Sequence, residues 1–416
     1  MKVALLTFHN FFDVDIERYF SGLEVDLFIF TSKVNAHPAN QTRLPSCCKA
    51  VYCVDNYMNN GQIAFKILQE HQKAPFTHIL YLGEDDVLRT ARLAHHLGLP
   101  GLSLEAAQAY RDKCLMKRHL LNQPAVRVPK FAAINSELDL IAFTEEVGFP
   151  VFVKPRTSSG SMFARKIADQ HQLSTFLETQ VSSRLQDCEY QSDLIVEEYI
   201  EGKMYHIDGF IGAQGQPLCL YPSKYVSDNL QLNEISHSQT LVSIMLEQQD
   251  PLYAPLIAQT QLVIAALPDV ANVPFHAEFF VTDNNDIIFC EIACRTGGAG
   301  VNQAVYQATG NDLNKLYIRT QLGAREKLST SASKIGGWCL INPSNYLLPT
   351  LPAASEFHFL EEMHFYYTPG TVVNRRAFSG EKVAKAIAAG DGSEEVQHKL
   401  FLAHKVFMEK SRATPV

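Results

Sequence analysis

Short apolar runs rich in β-branched and aromatic residues alternate with amphipathic stretches through the first quarter of the chain. KVALLTF (2–8), VDLFIFT (25–31) and THILYLG (77–83) read as strands. Between them, GQIAFKILQEHQK (61–73) sets Ile63, Ala64, Ile67 and Leu68 along one helical stripe. DDVLRTARLAHHLGLPG (85–101) predicts a further helix, stopped by Gly98. This β/α rhythm predicts a Rossmann-like sheet with helices on its faces over residues 1–102.

SLEAAQAYRDKCLMKRHLLNQ (103–123) predicts a single linker helix capped by Ser103, with Pro124 and Pro129 beyond its end. Over 124–198 come a helix (DLIAFTEEVG), a strand (FPVFVKP), a Ser/Gly loop, a strand (MFARKIA), a helix and a strand (LIVEEYI). Over 199–328, PLYAPLIAQTQLVIAALPD predicts a helix ahead of a strand pair. From 329 to 416 the pattern becomes short strands and turns, a small β-rich C-terminal segment. The chain is thus a mixed α/β (α+β) protein of several domains, in keeping with its 416 residues.

The strand pair carries the strongest chemical signal. In HAEFFVTDNNDIIFCEIACR, two apolar runs flank Asp283-Asn284-Asn285-Asp286, a hairpin signature. A turn centred between Asn284 and Asn285 sets Glu278 opposite Glu291, Phe280 opposite Phe289 and His276 opposite Ala293. Facing carboxylates about 5 Å apart repel by roughly 3 kcal/mol at an effective dielectric of 20. A divalent ion such as Mg²⁺ relieves that repulsion and takes hard oxygen ligands of this kind. Two surface acids on a solvated face are the competing reading. Arg295 continues the parity of Glu291 and Ala293, where its guanidinium can hold a phosphate or carboxylate. The glycine-rich turn 297–300 behind it lets backbone approach a ligand, though a plain turn fits as well.

A second candidate is GFPVFVKPRTSSGSMFARKIA (148–168). Lys154 ends an apolar strand, and a small polar loop follows it. Such a loop either folds over phosphates or is an ordinary exposed hairpin; it is not a Walker loop, since GxxxxGK[ST] is absent. Glu84, Asp85 and Asp86 follow a strand and read more readily as a helix N-terminus than as ligand-binding acids.

Composition narrows the partners. A net charge of −8 argues against nucleic acid and against an anionic membrane surface. The apolar run at the N-terminus is too short for a signal peptide, and no stretch approaches a membrane span, so the cytoplasm is the default compartment. Nine cysteines, including Cys47, Cys48 and Cys53, lack disulfide or zinc spacing, as expected in a reducing compartment. Cys290 reads as an incidental buried thiol, and Cys290→Ser is expected to do little.

FPVFVKPRTSSGS, then LIVEEYIEGKMYHIDGF, then HAEFF…EIACRTGG resemble, in order and spacing, the ATP-grasp superfamily. Within it they resemble the carboxylate–amine ligases, the broad group that includes D-alanine–D-alanine ligase and carnosine synthase-like enzymes. The resemblance implies an ATP-grasp fold with a small lobe over 124–198 and a large, metal-binding lobe over 199–328. It implies ATP and Mg²⁺ (or Mn²⁺) as cofactors, small-molecule carboxylate and amine substrates, and allows a homodimer. Lys113 and Lys154 match the phosphate-contacting lysines, and Ser158, Ser159, Gly160, Ser161 and Met162 the loop over the triphosphate. Glu197, Glu198, Tyr199 and Ile200 match the adenine hinge, Lys224 in YPSKYVSD a further phosphate-side lysine, and Glu278 and Glu291 the Mg²⁺ ligands. Arg295 matches the arginine that stabilises an acyl phosphate. The implied activity is ADP-forming amide or peptide bond synthesis through that intermediate. A carboxylase-like or carboxylate–thiol ligase, or a non-catalytic nucleotide-binding protein, are the alternatives on the same fold.

Two positions depart from the family. Met204 stands where relatives often carry a ribose-contacting acid, so His206 or Asp208 is expected to replace it. Ala293 stands where many carry a further metal ligand, which leaves the metal count open. His237 and His276 are candidate bases for deprotonating the amine, and the residues do not choose between them.

Overall fold

The computed structural model describes the chain except residues 38–41, 182–193, 227–239, 331, 344, 375–380, 413 and 416. Strands β1 (Lys2–Thr7), β2 (Asp26–Ser32), β3 (Cys48–Val54) and β4 (His78–Tyr81) form a parallel sheet in the order β3-β2-β1-β4. Val3 and Leu5 pack into one cluster and Ala4 and Leu6 into another, so both faces of β1 are covered. This explains an apolar run without alternation. The edge strand β3 (CKAVYCV) was not among the predicted strands, and its residues are half-buried or exposed. The predicted helices span Gln62–Lys73 and Asp86–Leu97, the second closed by Gly98 at φ 64°. Loops leaving the C-terminal ends of β1 and β4 lie side by side, the edge where open α/β sheets hold ligands.

The linker differs from the single helix expected. It breaks into Leu104–Ala109, capped by Ser103, and Lys113–Leu120. Asp112 accepts from the backbone N–H groups of Cys114 and Leu115, so its side chain starts a new helix instead of continuing the old one. The break frees Arg111 and aims Lys113 and Lys117 across the domain junction.

Strands β5 (Phe131–Ile134), β6 (Val151–Pro155), β7 (Arg165–Ile167) and β8 (Leu194–Glu198) form an antiparallel sheet in the order β5-β8-β6-β7. A larger antiparallel sheet contains β9 (Lys203–Ile211), β10 (Pro217–Tyr225), β11 (Thr240–Met245), β12 (Val273–Val281), β13 (Ile287–Ala293) and β14 (Ile335–Ile341). It passes β15 (Tyr346–Leu348) and β17 (Thr371–Val373), which pair separately, and takes in β16 (Glu362–Phe365) and β18 (Ala384–Gly390). The order is β13-β12-β9-β10-β11-β14-β18-β16. A boundary at 329 therefore cuts through one continuous sheet.

Nor is the C-terminal segment only β-rich, for it holds the 19-residue helix Ser393–Ser411. Val396, Leu400, Ala403 and Phe407 bury its inner stripe against β14 and β18, a helical spacing hidden in the sequence among charged neighbours. Among the described residues no helix is long and apolar enough to cross a membrane, and every described cysteine is a free thiol.

Candidate active site

The hairpin β12–β13 sets Glu278 opposite Glu291 and His276 opposite Ala293, as its sequence predicts. The rest of the register differs: Phe279, not Phe280, faces Phe289. The turn holds three residues, with Asn285 left-handed at φ 63° and Thr282 N–H donating to the Asp286 carbonyl. A bulge then inserts Cys290, and only this extra residue returns Glu291 to the face of Glu278. Without it, alternation would turn Glu291 into the core. The aromatic pair is on that core side: the Phe279 and Phe289 rings lie 5.6 Å apart and fully buried. The Glu278 and Glu291 carboxylates and the Cys290 sulfur lie within 4.8 Å of one another. Burial pushes the Cys290 thiol up to about 12, so it stays neutral. Cys290→Ser is accordingly expected to change ATP turnover less than about fivefold in a steady-state assay.

Three lysines converge on the acids. Lys113 Nζ is 3.2 Å from Glu291 and donates to the Ser158 carbonyl at 2.6 Å. Lys154 Nζ is 3.0 Å from Glu197 and 3.9 Å from Glu291. Burial disfavours its charge, but the Glu197 and Glu291 carboxylates outweigh that and raise its pKa. The third, Lys117, is one helical turn beyond Lys113, pairs with Glu197 at 2.9 Å, and was not among the residues the sequence singled out. Its spacing from Lys113 was legible; its partners were not. Glu197 is buried, which works against its charge, yet Lys117 and Lys154 bring its pKa down to about 2.

The loop after Lys154 is anchored at its stem. Arg156 forks onto Asp112, Arg111 donates to the Thr157 carbonyl, and Lys113 N–H donates to the Arg156 carbonyl. Ser158 stands at this stem, followed by Ser159 and Met162, half-buried, with Gly160 and Ser161 exposed between them and left-handed at φ 63° and 57°. In the hinge segment the Glu197 carboxylate faces lysines, and Glu198 accepts from Lys130 N–H. Lys166 sits 4.0 Å over the Tyr199 ring, with Ile200 next in the crossing to β9. Ser223 and Tyr225 flank His206, so strand alternation turns Lys224 to the other face of β10; the structure does not bring it to the lysine cluster.

Arg295 lies beside the acid pair and donates through Nε to Glu84 at 2.9 Å. Arg111 holds the other oxygen of Glu84. Burial works against that carboxylate, but Arg295 and Arg111 keep it well below the usual range. The triplet after β4 is thus split in role. Asp86 starts the helix and pairs with Arg89, while Glu84 turns into the site. His9, from the loop after β1, lies against Gly83, and burial drops its pKa to about 4. Further along that loop, Asp13 pairs with Lys385 at 2.9 Å and Lys382 at 3.4 Å, joining the N-terminal domain to the C-terminal segment.

Asp208 cannot serve a ribose. It is buried, and its two oxygens are taken by His206 Nδ1 at 2.6 Å and His276 Nδ1 at 2.8 Å. His206 meets Ser243 Oγ at 2.6 Å, and His276 Nε2 meets Glu278 at 3.2 Å. With a carboxylate on each ring nitrogen, His276 donates from both and is an imidazolium. Burial opposes this, but Asp208 and then Glu278 raise its pKa from 6.5 to about 9. Below pH about 6.5 this contribution to stability is complete; it drains away as pH rises through about 9. In metal-free buffer, urea unfolding is expected to show a loss on the order of 2 kcal/mol across that window, and His276→Gln to flatten it. His237 lies outside the described residues.

Residues 147–303 match the family model described as the ATP-grasp domain. The chain is 25% identical over 362 residues to the L-arginine-specific L-amino acid ligase of Bacillus subtilis, covering 86% of each. It is 27% identical over 159 residues to the D-alanine–D-alanine ligase of Pseudomonas entomophila, where it spans 47% of that relative and 36% of itself. Among solved structures, the L-amino acid ligase of Bacillus licheniformis superposes with a TM-score of 0.74 at 17% identity over 97% of both chains. The biotin carboxylase domain of the Hydrogenobacter thermophilus 2-oxoglutarate carboxylase, solved with MgADP, superposes at 0.72 with 16% identity over 97% of this chain and 90% of that one. At these identities the structural likenesses speak for the fold.

The chain is an ATP-grasp protein. Within that class it is an ADP-forming ligase of the carboxylate–amine type, the group in which its curated relatives stand.

Proposed function

We propose that this ligase joins amino acids, activating one carboxylate as an acyl phosphate and passing it to the amine of a second. The observation that carries this is the union at one junction of a phosphate-side cluster (Lys113, Lys154, Glu278, Glu291) with a carboxylate-side cluster (Arg295, Glu84, Arg111). The donor set fits Mg²⁺: two opposed carboxylates share one face and bring hard oxygens within 4.8 Å of one another. Bound there, Mg²⁺ supplies charge neutralisation for a triphosphate.

The chain's own residues then have distinct tasks. Lys154 and Lys113 place fixed positive charge beside the acid pair, suited to phosphate oxygens, and the 158–162 loop stands next to them. Arg295 offers a planar fork to the acyl phosphate and to the oxyanion of the tetrahedral intermediate. Glu84 lies at the ligand edge of the N-terminal sheet, where Arg111 and Arg295 take its two oxygens, so it sets the orientation of both guanidinium groups. No side-chain nucleophile is required, because the substrate carboxylate attacks the γ-phosphate and the amine displaces phosphate.

Two measurements test the reading. ADP and phosphate release across pairs of L-amino acids should require both partners together; release with water alone, or with bicarbonate, would move the chain to a carboxylase-like or idle role. Lys154→Ala should raise the ATP concentration for half-maximal rate by roughly tenfold to a hundredfold, read from initial rates.

A further inference from the structure

Lys117 has no task in that scheme, yet it is completely buried and its surroundings are specific. Its ammonium donates to the Cys290 carbonyl at 2.5 Å and pairs with Glu197 at 2.9 Å. It therefore ties together the linker helix Lys113–Leu120, strand β8 and strand β13. Cys290 is the bulged residue, with no partner of its own in the β12–β13 register. A bulge leaves one residue's backbone outside the ladder, and a buried orphan carbonyl costs about 1–3 kcal/mol. Lys117 meets that carbonyl with a charged donor. Through Glu197, which reaches Lys154 at 3.0 Å with its other oxygen, it also steadies the phosphate-side lysine.

We propose that Lys117 is a positioning residue: by holding the bulge at Cys290 it keeps Glu291 on the face of Glu278, and so builds the metal side of the site without touching nucleotide. The inference rests on the reading that Glu278 and Glu291 hold the nucleotide's metal ion. It also accounts for a charged side chain in a place where a lysine of purely structural use would be costly.

The test is calorimetric titration of ADP at a series of Mg²⁺ concentrations, with wild type, Lys117→Met and Glu291→Ala compared. Lys117→Met is expected to raise the Mg²⁺ concentration for half-maximal enhancement of ADP binding about tenfold, in the range typical for residues that orient metal ligands. ADP binding without Mg²⁺ should change less than about threefold. A lysine that merely stabilised the fold would lower Tm and leave the Mg²⁺ dependence where it was, and that result would overturn the proposal. Lys117→Gln keeps a donor and loses reach; it carries the same test if the methionine variant does not fold, with a shift of about threefold expected and an unmoved dependence again counting against the proposal. Should Glu291→Ala itself leave the Mg²⁺ dependence unmoved, the metal-site reading fails first and this inference falls with it.

Discussion

Glu291→Ala is expected to lower Mg²⁺-dependent ligase turnover by a factor on the order of 100 to 1000. Glu291 is the member of the opposed acid pair that Lys113 and Lys154 reach, at 3.2 and 3.9 Å. Its removal halves the oxygen donors offered to a divalent ion and leaves the two ammonium groups with less opposing charge. The two effects have opposite signs. Metal-free ADP should bind as well as before or better, while its enhancement by Mg²⁺ disappears. That divergence separates loss of a ligand from general damage, which would weaken both. Near-normal turnover at ordinary Mg²⁺ would show that the metal sits elsewhere.

Arg295→Ala should be nearly as severe, lowering kcat by about 100- to 1000-fold, the usual loss when a donor to a developing oxyanion is removed. ADP affinity should barely move, since Arg295 lies on the Glu84 side of the acid pair and not among the lysines. Arg295→Lys is expected to recover little, because a single ammonium cannot reproduce a fork that serves Glu84 and a substrate oxyanion together. Single-turnover phosphate release, set beside ADP calorimetry, reads the two quantities separately. A kcat within about tenfold of wild type would reduce Arg295 to an anchor for Glu84.

The opposition of Glu278 and Glu291 was legible for an instructive reason. The turn holds three residues where a two-residue turn was expected, which slips the register by one, and the bulge at Cys290 slips it back. Between the two, the register is shifted, which is why Phe280 lost its expected partner; beyond the bulge it is restored. Local turn chemistry could suggest a hairpin, but it carries no signal for a bulge whose carbonyl is met by a lysine 173 residues away. Glu84 was underestimated on the same grounds, since the arginine that draws it into the site is 211 residues distant. Asp208 shares a strand face with His206 by alternation alone, yet its second partner, His276, arrives on a neighbouring strand and removes it from any ribose.

Taken alone, the order of residues determined what depends on near neighbours. Apolar periodicity marked β1, β2, β4 and the helices Gln62–Lys73 and Asp86–Leu97, and three motifs in order pointed to an ATP-grasp ligase. Tertiary structure alone decided which groups meet: Lys117 with Cys290 and Glu197, Glu84 with Arg295, and β14 and β18 with the sheet that carries the Glu278–Glu291 pair. Backbone period and turn preference act over a few residues and leave their mark in the local pattern. Buried charges find partners through the path of the whole chain, where desolvation makes each pairing obligatory without indicating beforehand which pairing it will be.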